Sequence, residues 1–226
     1  MDPETFGKTA EATKAVAETG GKAIDAVVSF ARIIAGPVNE LVAIVEDRIK
    51  FARWEGQLAL ADKAEAIMKR RGLVQPTREL PLNFAVPLLT KAMLEEDDEL
   101  QETWARLLVN AGDAATEMEL RVAYVEILTG MSAFDVKNLS ELAKASLAAP
   151  DKGYLPVIEA WNLPGSAMYH DEGSRETGKV SEELGISLGN LMRLGCVIPA
   201  MGFGGIPVMG LMTVTHLGRA LYRACS

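Results

Sequence analysis

The chain has 226 residues, of which 49% are hydrophobic, and it carries a net charge of −8. A chain of this length and apolar content can bury a core without disulfide support, so a folded globular protein is expected. Neither half carries a surplus of basic residues, which argues against a protein that binds duplex nucleic acid. The two cysteines, Cys196 and Cys225, are too few for a disulfide framework, and the first residues lack a secretory-signal pattern. A cytoplasmic location is therefore expected.

The stretch Ala23–Val45 is strongly apolar, and its length raises the question of a membrane span. Three charged residues fall inside it: Asp25, Arg32 and Glu40. Each charge costs roughly 2.5–3.5 kcal/mol on membrane-insertion scales, and the pair Gly36-Pro37 divides the stretch. Two packed helices are therefore favoured. A membrane-acting helix that lies in the interface is the alternative that stays open.

Helical spacing follows from residue 38 to residue 71. The helix is expected to end at its basic last turn, with Gly72 in the left-handed position just after it. Pro87 is expected in the first turn of a short helix that runs through Met93. A further helix is expected over Glu117–Leu128. The first half of the chain is thus predicted to be entirely α-helical.

The stretch 95–111 predicts a core-facing helix, because its apolar residues recur at steps of three and four. They are Leu100, Trp104, Leu107, Leu108 and Ala111. Five acids, Glu95, Glu96, Asp97, Asp98 and Glu99, lie in or just before the first turn, where the helix dipole favours negative charge. Consecutive helical residues point about 100° apart, so a run of acids cannot converge on one ion, and no metal site is expected. The acids form either a solvated helix entrance or a docking patch for a basic partner.

The second half changes character. Ser132 and Asp135 have the spacing of a capping box ahead of an amphipathic helix. Residues 149–177 are rich in proline and glycine, which predicts a long irregular insertion. Residues 176–195 predict two helices around a Gly185-Ile186-Ser187 turn, with Ser187 as the cap of the second, which is helix-turn-helix spacing.

Two β-type runs, Val197–Ala200 and Val208–Val214, then flank a glycine-rich turn, and Thr215 can cap a last helix over His216–Ala224. Helix, helix, hairpin and closing helix together predict a winged helix. The expected fold is mainly α, in three parts: a flexible arm (1–22), an α-helical domain (23–130), and a winged-helix-like domain with a small β-hairpin (131–226) that contains the insertion at 149–177.

Five stretches that span most of the chain carry a family resemblance. They are Phe51-Ala52-Arg53-Trp54-Glu55, the Leu73–Pro87 segment with its spaced prolines, the 95–111 helix, Ala123-Tyr124-Val125-Glu126-Ile127-Leu128, and Thr215-His216-Leu217-Gly218-Arg219-Ala220. The most specific part is Glu-Asp-Asp-Glu-Leu-Gln at 96–101, followed by Trp-Ala and Leu-Leu. These stretches resemble the abortive infection alpha family, bacterial proteins grouped with phage-resistance functions. The resemblance implies a defence setting and supplies no active site.

Catalytic and metal chemistry finds little support in the sequence. The two histidines, His170 and His216, do not stand near either cysteine at a metal-ligand spacing, so structural zinc is not expected. A pair between Cys225 and one of the histidines stays open, because such partners meet in space. A buried, unreactive cysteine is the favoured interpretation. A non-enzymatic protein without a cofactor is therefore expected.

The predicted wing supplies the leading candidate site. It contains no lysine or arginine, and its apolar members Met201, Phe203, Ile206 and Met209 suit self-association or another protein partner. Glu95, Glu96, Asp97 and Asp98 are the second candidate partner-binding set. The alternative is a nucleic-acid-binding regulator, whose contacts would come from Arg175, Lys179, Asn190 and Arg193.

Overall fold

The computed structural model describes residues 54–170 and 178–226. The predicted arm 1–22, the apolar stretch Ala23–Val45 and Arg175 lie outside these residues. The described part contains seven α-helices and one antiparallel sheet. Its elements are α1 (Trp54–Arg70), α2 (Leu82–Ala92), α3 (Asp98–Gly112), α4 (Val122–Thr129), α5 (Ala133–Ala148), β1 (Val157–Glu159), β2 (Met168–Tyr169), α6 (Glu182–Arg193), β3 (Val197–Met201), β4 (Pro207–Val214) and α7 (His216–Ala224). The expectation of a mainly α-helical protein with a small β element is confirmed.

The described residues group into two compact units. The first comprises residues 54–96 and 104–120, and the second comprises residues 97–103, 121–170 and 178–226. In the first unit, each helix turns an apolar face inward, as the spacing of its residues predicts. The fully buried side chains there include Leu60, Phe84, Leu88, Leu89, Trp104, Leu107 and Leu108.

The predicted end of the first helix is confirmed. Gly72 follows α1 with φ +71°, and the Leu73 N–H donates to the carbonyl of Met68, which is the glycine-terminated helix end expected from the sequence. The position of Pro87 is wrong. Helix α2 begins directly after Pro81, and Pro87 lies inside the helix instead of in its first turn. Pro81 restricts the backbone conformation at the start of the helix, which is the role that the sequence pattern assigned to Pro87.

The helix predicted from Glu117 begins only at Val122. Asp113 accepts a hydrogen bond from the Ala115 N–H and caps a short 3₁₀ turn, Ala114–Thr116. Glu117 then takes a left-handed conformation with φ 49°, which ends that turn. A left-handed residue cannot continue a right-handed helix, so the chain re-enters helical structure later than the periodicity predicts.

Helix α5 lies in the second unit, and its predicted capping box is confirmed. The Ser132 hydroxyl accepts from the Asp135 N–H at 3.2 Å, and the Asp135 carboxylate accepts from the Ser132 N–H at 2.9 Å. The expectation of a wholly irregular insertion at 149–177 is wrong for two short segments. These are β1 and β2, which extend the predicted hairpin into a four-stranded antiparallel sheet of order β2-β1-β4-β3.

The predicted helix-turn-helix at 176–195 is also wrong over its described part. Helix α6 runs unbroken through the expected turn, and it is capped by Ser181, whose hydroxyl accepts from the Leu184 N–H. Gly185 in a helix interior costs only about 1 kcal/mol relative to alanine, and the burial of Leu184, Leu188 and Leu191 offsets this. Ser187 is a buried residue in mid-helix and not a cap.

The hairpin and the closing helix follow the prediction. Strands β3 and β4 pair with Ile198 opposite Thr213, and Thr215 caps α7 by accepting from the Gly218 N–H at 3.0 Å. One face of the sheet is turned toward the helices. Its buried side chains are Ile158, Val197, Met212 and Val214. The opposite side of the hairpin and its tip carry exposed side chains.

Candidate functional site

Three large apolar side chains of the β3–β4 hairpin are exposed to solvent. Ile198, Met201 and Ile206 keep 52%, 66% and 68% of their surface accessible. We call these three residues the apolar hairpin surface. The whole hairpin, residues 197–214, contains no charged side chain of either sign. An uncharged apolar projection of this kind is typical of a surface that another molecule covers.

The tip of the hairpin is built by glycine. Gly204 and Gly205 have φ +79° and +77°, a conformation that side-chain-bearing residues rarely adopt. The Gly202 N–H donates to the carbonyl of Ile206 at 2.8 Å and closes the loop. Met201, which pairs with Pro207, and Ile206 therefore stand at the two shoulders of a narrow turn. Their exposure follows from the tightness of that turn.

The four predicted wing contacts lie on this hairpin with different accessibilities. Met201 and Ile206 are exposed, whereas Met209 is half-buried on β4. Phe203 begins the tip turn Phe203–Gly205, and its side chain lies outside the described part. The sequence interpretation missed Ile198. Its exposure depends on which face β3 turns outward, and that face is set by pairing with Thr213.

The outer edge of β3 is poorly suited to pairing with another strand. The Thr215 N–H donates to the carbonyl of Cys196, so alternate residues from Cys196 onward turn their backbone groups toward β4. Pro199 falls between them and faces the open edge, where it has no N–H to offer. A register shift between Pro199 and Ala200 further disrupts the ladder. Both features are used by edge strands that avoid pairing with another sheet.

The acidic run at the start of α3 has a structural explanation. Asp97 accepts a hydrogen bond from the Leu100 N–H at 2.9 Å, which is the interaction of a helix cap. Asp98 lies in the first turn, where the helix dipole favours a carboxylate. Glu95 is half-buried, and Glu96, Asp97 and Asp98 are exposed. These positions accord with the solvated helix entrance and leave the docking role a prediction.

Of the residues proposed for nucleic-acid binding, Lys179, Asn190 and Arg193 lie in the described part of the chain. Lys179 is exposed ahead of α6, and Arg193 is exposed at the end of that helix. Arg193 donates to the Asn190 side-chain oxygen at 2.7 Å. The Asn190 amide nitrogen donates in turn to the Gly130 carbonyl and to the Asp135 carboxylate. The hydrogen-bonding groups of Asn190 are therefore used within the protein.

A buried polar network centred on Asp135 fastens α5 to α6. Its carboxylate accepts from the Ser187 hydroxyl at 2.6 Å and from the Asn190 amide at 2.9 Å. Burial by itself raises the pKa of Asp135, but the bonds from the Ser132 N–H, Ser187, Asn190 and the Ser132 hydroxyl outweigh it and hold that pKa below its ordinary value. The sequence marked Asp135 as a capping residue and missed its partners, which lie more than 50 residues away.

A second polar cluster joins β1 to β2. Glu159 accepts from the Trp161 indole N–H at 3.2 Å, and its other oxygen lies 2.9 Å from Nδ1 of His170. The side chains of Glu159 and His170 are each 15% exposed. A carboxylate only accepts, so Nδ1 is the donor of this bond in either charge state of the imidazole. In the neutral form of the ring, Nε2 is then the nitrogen that keeps a lone pair. In chemical terms this is an oriented imidazole, the arrangement that positions a base or ligand in other proteins.

The two cysteines differ in their surroundings. Both are thiols, Cys196 buried and Cys225 half-buried. Burial raises the pKa of Cys196 to about 12, which keeps it protonated and weakly nucleophilic at neutral pH. Within residues 54–170 and 178–226, no group of three or more His, Cys, Asp or Glu side chains is placed to hold a metal ion. None of the helices described there combines the length and apolarity needed to cross a membrane.

The model of the family described as abortive infection alpha matches residues 55–202, about two thirds of the chain. That range contains α2 to α6 and β1 to β3, with the Asp135 network and the Glu159–His170 pair. No curated protein and no solved structure matches the chain.

Proposed function

Because the chain belongs to the abortive infection alpha family, we propose that it is a bacterial phage-defence protein that acts by binding another protein, without catalysis, through its apolar hairpin surface. The observation that carries the mode of action is the exposure of Ile198, Met201 and Ile206 on a hairpin that holds no charge. Leaving large apolar side chains in water is unfavourable, and covering them with a partner regains roughly 25 cal/mol for each Å² buried.

We interpret the second unit as a winged-helix-like module with this hairpin as its wing. Helix α6 leads into the β3–β4 hairpin, the chain closes with α7, and β1 joins the sheet on the far side of β4. The single helix α6 stands where the sequence pattern placed two helices. In this interpretation the wing has been adapted to make protein contacts.

The alternative is a nucleic-acid-binding regulator, favoured by the exposed cations Lys179 and Arg193 beside α6. Against it, the first turn of α6 carries the exposed acids Glu182 and Glu183, which would approach the phosphates of a duplex. Asn190 is engaged within the protein. An uncharged wing also supplies none of the phosphate contacts on which non-specific affinity depends. Protein binding is therefore the better-supported proposal.

The proposal is tested by a phage-plating assay in a sensitive bacterial host that expresses the full chain. The test variant combines Met201→Ser with Ile206→Ser, which removes most of the exposed apolar surface and leaves the core untouched. The control is Ile186→Ser, since Ile186 is 69% exposed and belongs to α6 and not to the hairpin. Circular dichroism and thermal melting verify that both variants fold like the wild type.

We expect the wild type and Ile186→Ser to reduce plaque numbers on at least one phage of a broad panel, and the double variant to lose this protection. Full protection by the folded double variant would overturn protein binding through the hairpin. Failure of the wild type to restrict any phage would overturn the defence assignment.

A gel-shift titration with random duplex DNA at low salt tests the alternative, a nucleic-acid-binding regulator. Little binding is expected for the wild type. Micromolar binding that falls steeply with salt would put the nucleic-acid regulator in place of this proposal.

A further inference from the structure

We propose that Trp161 is a positioning residue for the projecting end of the β3–β4 hairpin, and that its indole holds this end at a fixed angle to the sheet. We call the projecting end, residues 200–208, the hairpin arm. It carries Met201 and Ile206, two of the three residues of the apolar hairpin surface. The proposal concerns the folded chain alone, so it is tested independently of the function proposed for that surface.

The hairpin arm is set off from the sheet by a break in strand pairing. Pro199 pairs with Met212, but the next residue of β3, Ala200, pairs with Val208. The three intervening residues of β4, at 209–211, therefore have no partner on β3. An unmatched stretch of this kind is a β-bulge, which bends its strand and disrupts the ladder locally.

The hairpin arm has little other support. Strand β1 pairs with β4 at Leu211, Met212 and Thr213, so in the described part of the chain its ladder ends before the arm. Among the arm residues whose side chains the structure describes, none is buried. A two-stranded ribbon without such support is marginally stable at best in water. The angle of the arm therefore depends on what packs against the bulge.

Trp161 packs against the bulge. The six-membered ring of its indole fills the space that a side chain at Gly210 would take, because a Cβ atom built there would lie 1.8 Å from Cζ3 of the ring. Gly210 is buried, and its carbonyl accepts from the Ala160 N–H at 2.9 Å. The middle residue of the bulge is thus held by a ring and by a backbone hydrogen bond from the same short segment of chain.

The indole is itself held in place. Its N–H donates to the Glu159 carboxylate at 3.2 Å, and the other oxygen of that carboxylate contacts His170. A Cβ atom at Gly178 would lie 2.5 Å from Cγ of the indole, so a second backbone segment packs closely on it. An aromatic ring that is packed on backbone and hydrogen-bonded through its N–H is a rigid support. This support lies where the arm leaves the sheet.

Backbone nitrogen-15 relaxation of the full chain measures whether the arm is held. The reporters are the amides of Met201 and Val208 on the arm, compared with the Thr215 amide, which bonds the Cys196 carbonyl at the base of the hairpin. In the wild type all three should show order parameters of about 0.85, the value of rigid backbone. Trp161→Ala should lower the values of Met201 and Val208 below about 0.6, or broaden their signals through slower motion seen in relaxation dispersion, and leave Thr215 unchanged.

Gly210→Ala disturbs the same contact from the strand. Its methyl group would displace the ring, so this variant should loosen Met201 and Val208 as Trp161→Ala does, and it should add nothing further in the Trp161→Ala background. It also provides the test if Trp161→Ala does not fold. The matched control is Ser187→Ala, which removes hydrogen bonds elsewhere in the same unit and should leave the arm rigid.

A wild type whose Met201 and Val208 amides are already mobile overturns the inference, and so does either folded variant with a rigid arm. Equal loosening by Ser187→Ala also overturns it, because the mobility would then follow from a general loss of stability. The measurement uses no phage. A plating assay that contradicts the proposed function therefore leaves this inference standing, and a mobile arm in the wild type leaves the proposed function standing.

Discussion

Ser187 and Asp135 lie 52 residues apart in the sequence, and the Ser187 hydroxyl donates a 2.6 Å hydrogen bond to Oδ1 of Asp135 between two helices. Both side chains are buried. The Ser187 oxygen also accepts from the Asn138 amide nitrogen at 2.9 Å. Because the single hydroxyl proton goes to the carboxylate, the Asn138 amide must present its nitrogen to Ser187. Among the described residues, the buried side-chain oxygen of Asn138 then has no hydrogen-bond partner, so each donor and acceptor of the network has a fixed role.

Replacing Ser187 with alanine should destabilise the protein by roughly 1–3 kcal/mol. The change removes one donor from the buried Asp135 carboxylate and the acceptor of the Asn138 amide, and it gives nothing in exchange. Urea unfolding followed by circular dichroism measures the effect. The matched control is Ser140→Ala on α5, where the serine is half-buried, and it should change stability by less than about 0.5 kcal/mol. Equal effects of the two substitutions would show that the network contributes no stability.

Acid should weaken the protein through Asp135. Its pKa is lower in the folded chain than in the unfolded chain, so the unfolded state takes up the proton first as the pH falls. The stability that Asp135 contributes is therefore complete above the ordinary aspartate pKa of about 3.9 and is lost as the pH falls through the lowered folded value. Asp135→Asn should flatten the dependence of unfolding free energy on pH below about pH 4.

Urea titrations at a series of pH values compare the slopes of wild type and Asp135→Asn. Glu126→Gln, which alters an exposed carboxyl on α4, should retain the wild-type slope. A variant slope equal to that of the wild type would mean that Asp135 has the same pKa in both states.

Elements with a local chemical cause were predictable from the sequence. The capping box of Ser132 and Asp135, the left-handed Gly72 and the cap of Thr215 all depend on residues within one helical turn. The hairpin could also be predicted, because two β-type runs flank a glycine-rich turn. In each case the interacting residues lie within about 20 positions of each other, so the local sequence contains both partners of the interaction.

Elements that depend on distant partners were not predictable. Strands β1 and β2 have three and two residues, too few for a periodic signal, and they form because β4 lies alongside β1. The Gly185-Ile186-Ser187 motif indicates a turn locally, but Asp135 stabilises Ser187 inside a helix. The Glu159–His170 pair arises from antiparallel pairing of β1 and β2. The sequence pattern placed both residues in an irregular insertion, so it gave no signal for this pair.

A methyl group at Gly218 should be poorly tolerated. A Cβ atom placed there would lie 2.2 Å from the carbonyl oxygen of Cys196, a backbone atom held by the Thr215 N–H. Gly218→Ala should therefore cost roughly 1–3 kcal/mol or more. The control is Gly189→Ala in α6, which has no atom within 4 Å of the added carbon and should stabilise the protein by about 0.5–1 kcal/mol. Thermal and urea unfolding measure whether each substitution raises or lowers the free energy of unfolding. A Gly218→Ala protein as stable as the wild type would contradict the close packing of α7 on the backbone of Cys196.

If the protein is not a catalyst, it should keep its activity against phage when the oriented imidazole of His170 is removed. His170→Gln removes the Nε2 lone pair, while the glutamine amide can still donate to Glu159, so the fold should be retained. We expect this variant to protect against phage as well as the wild type does, in contrast to the serine double variant of Met201 and Ile206. The plating assay, run beside thermal melting, measures both. Loss of protection by a folded His170→Gln protein would show that the Glu159–His170 pair performs chemistry, because binding through the hairpin has no need of that imidazole.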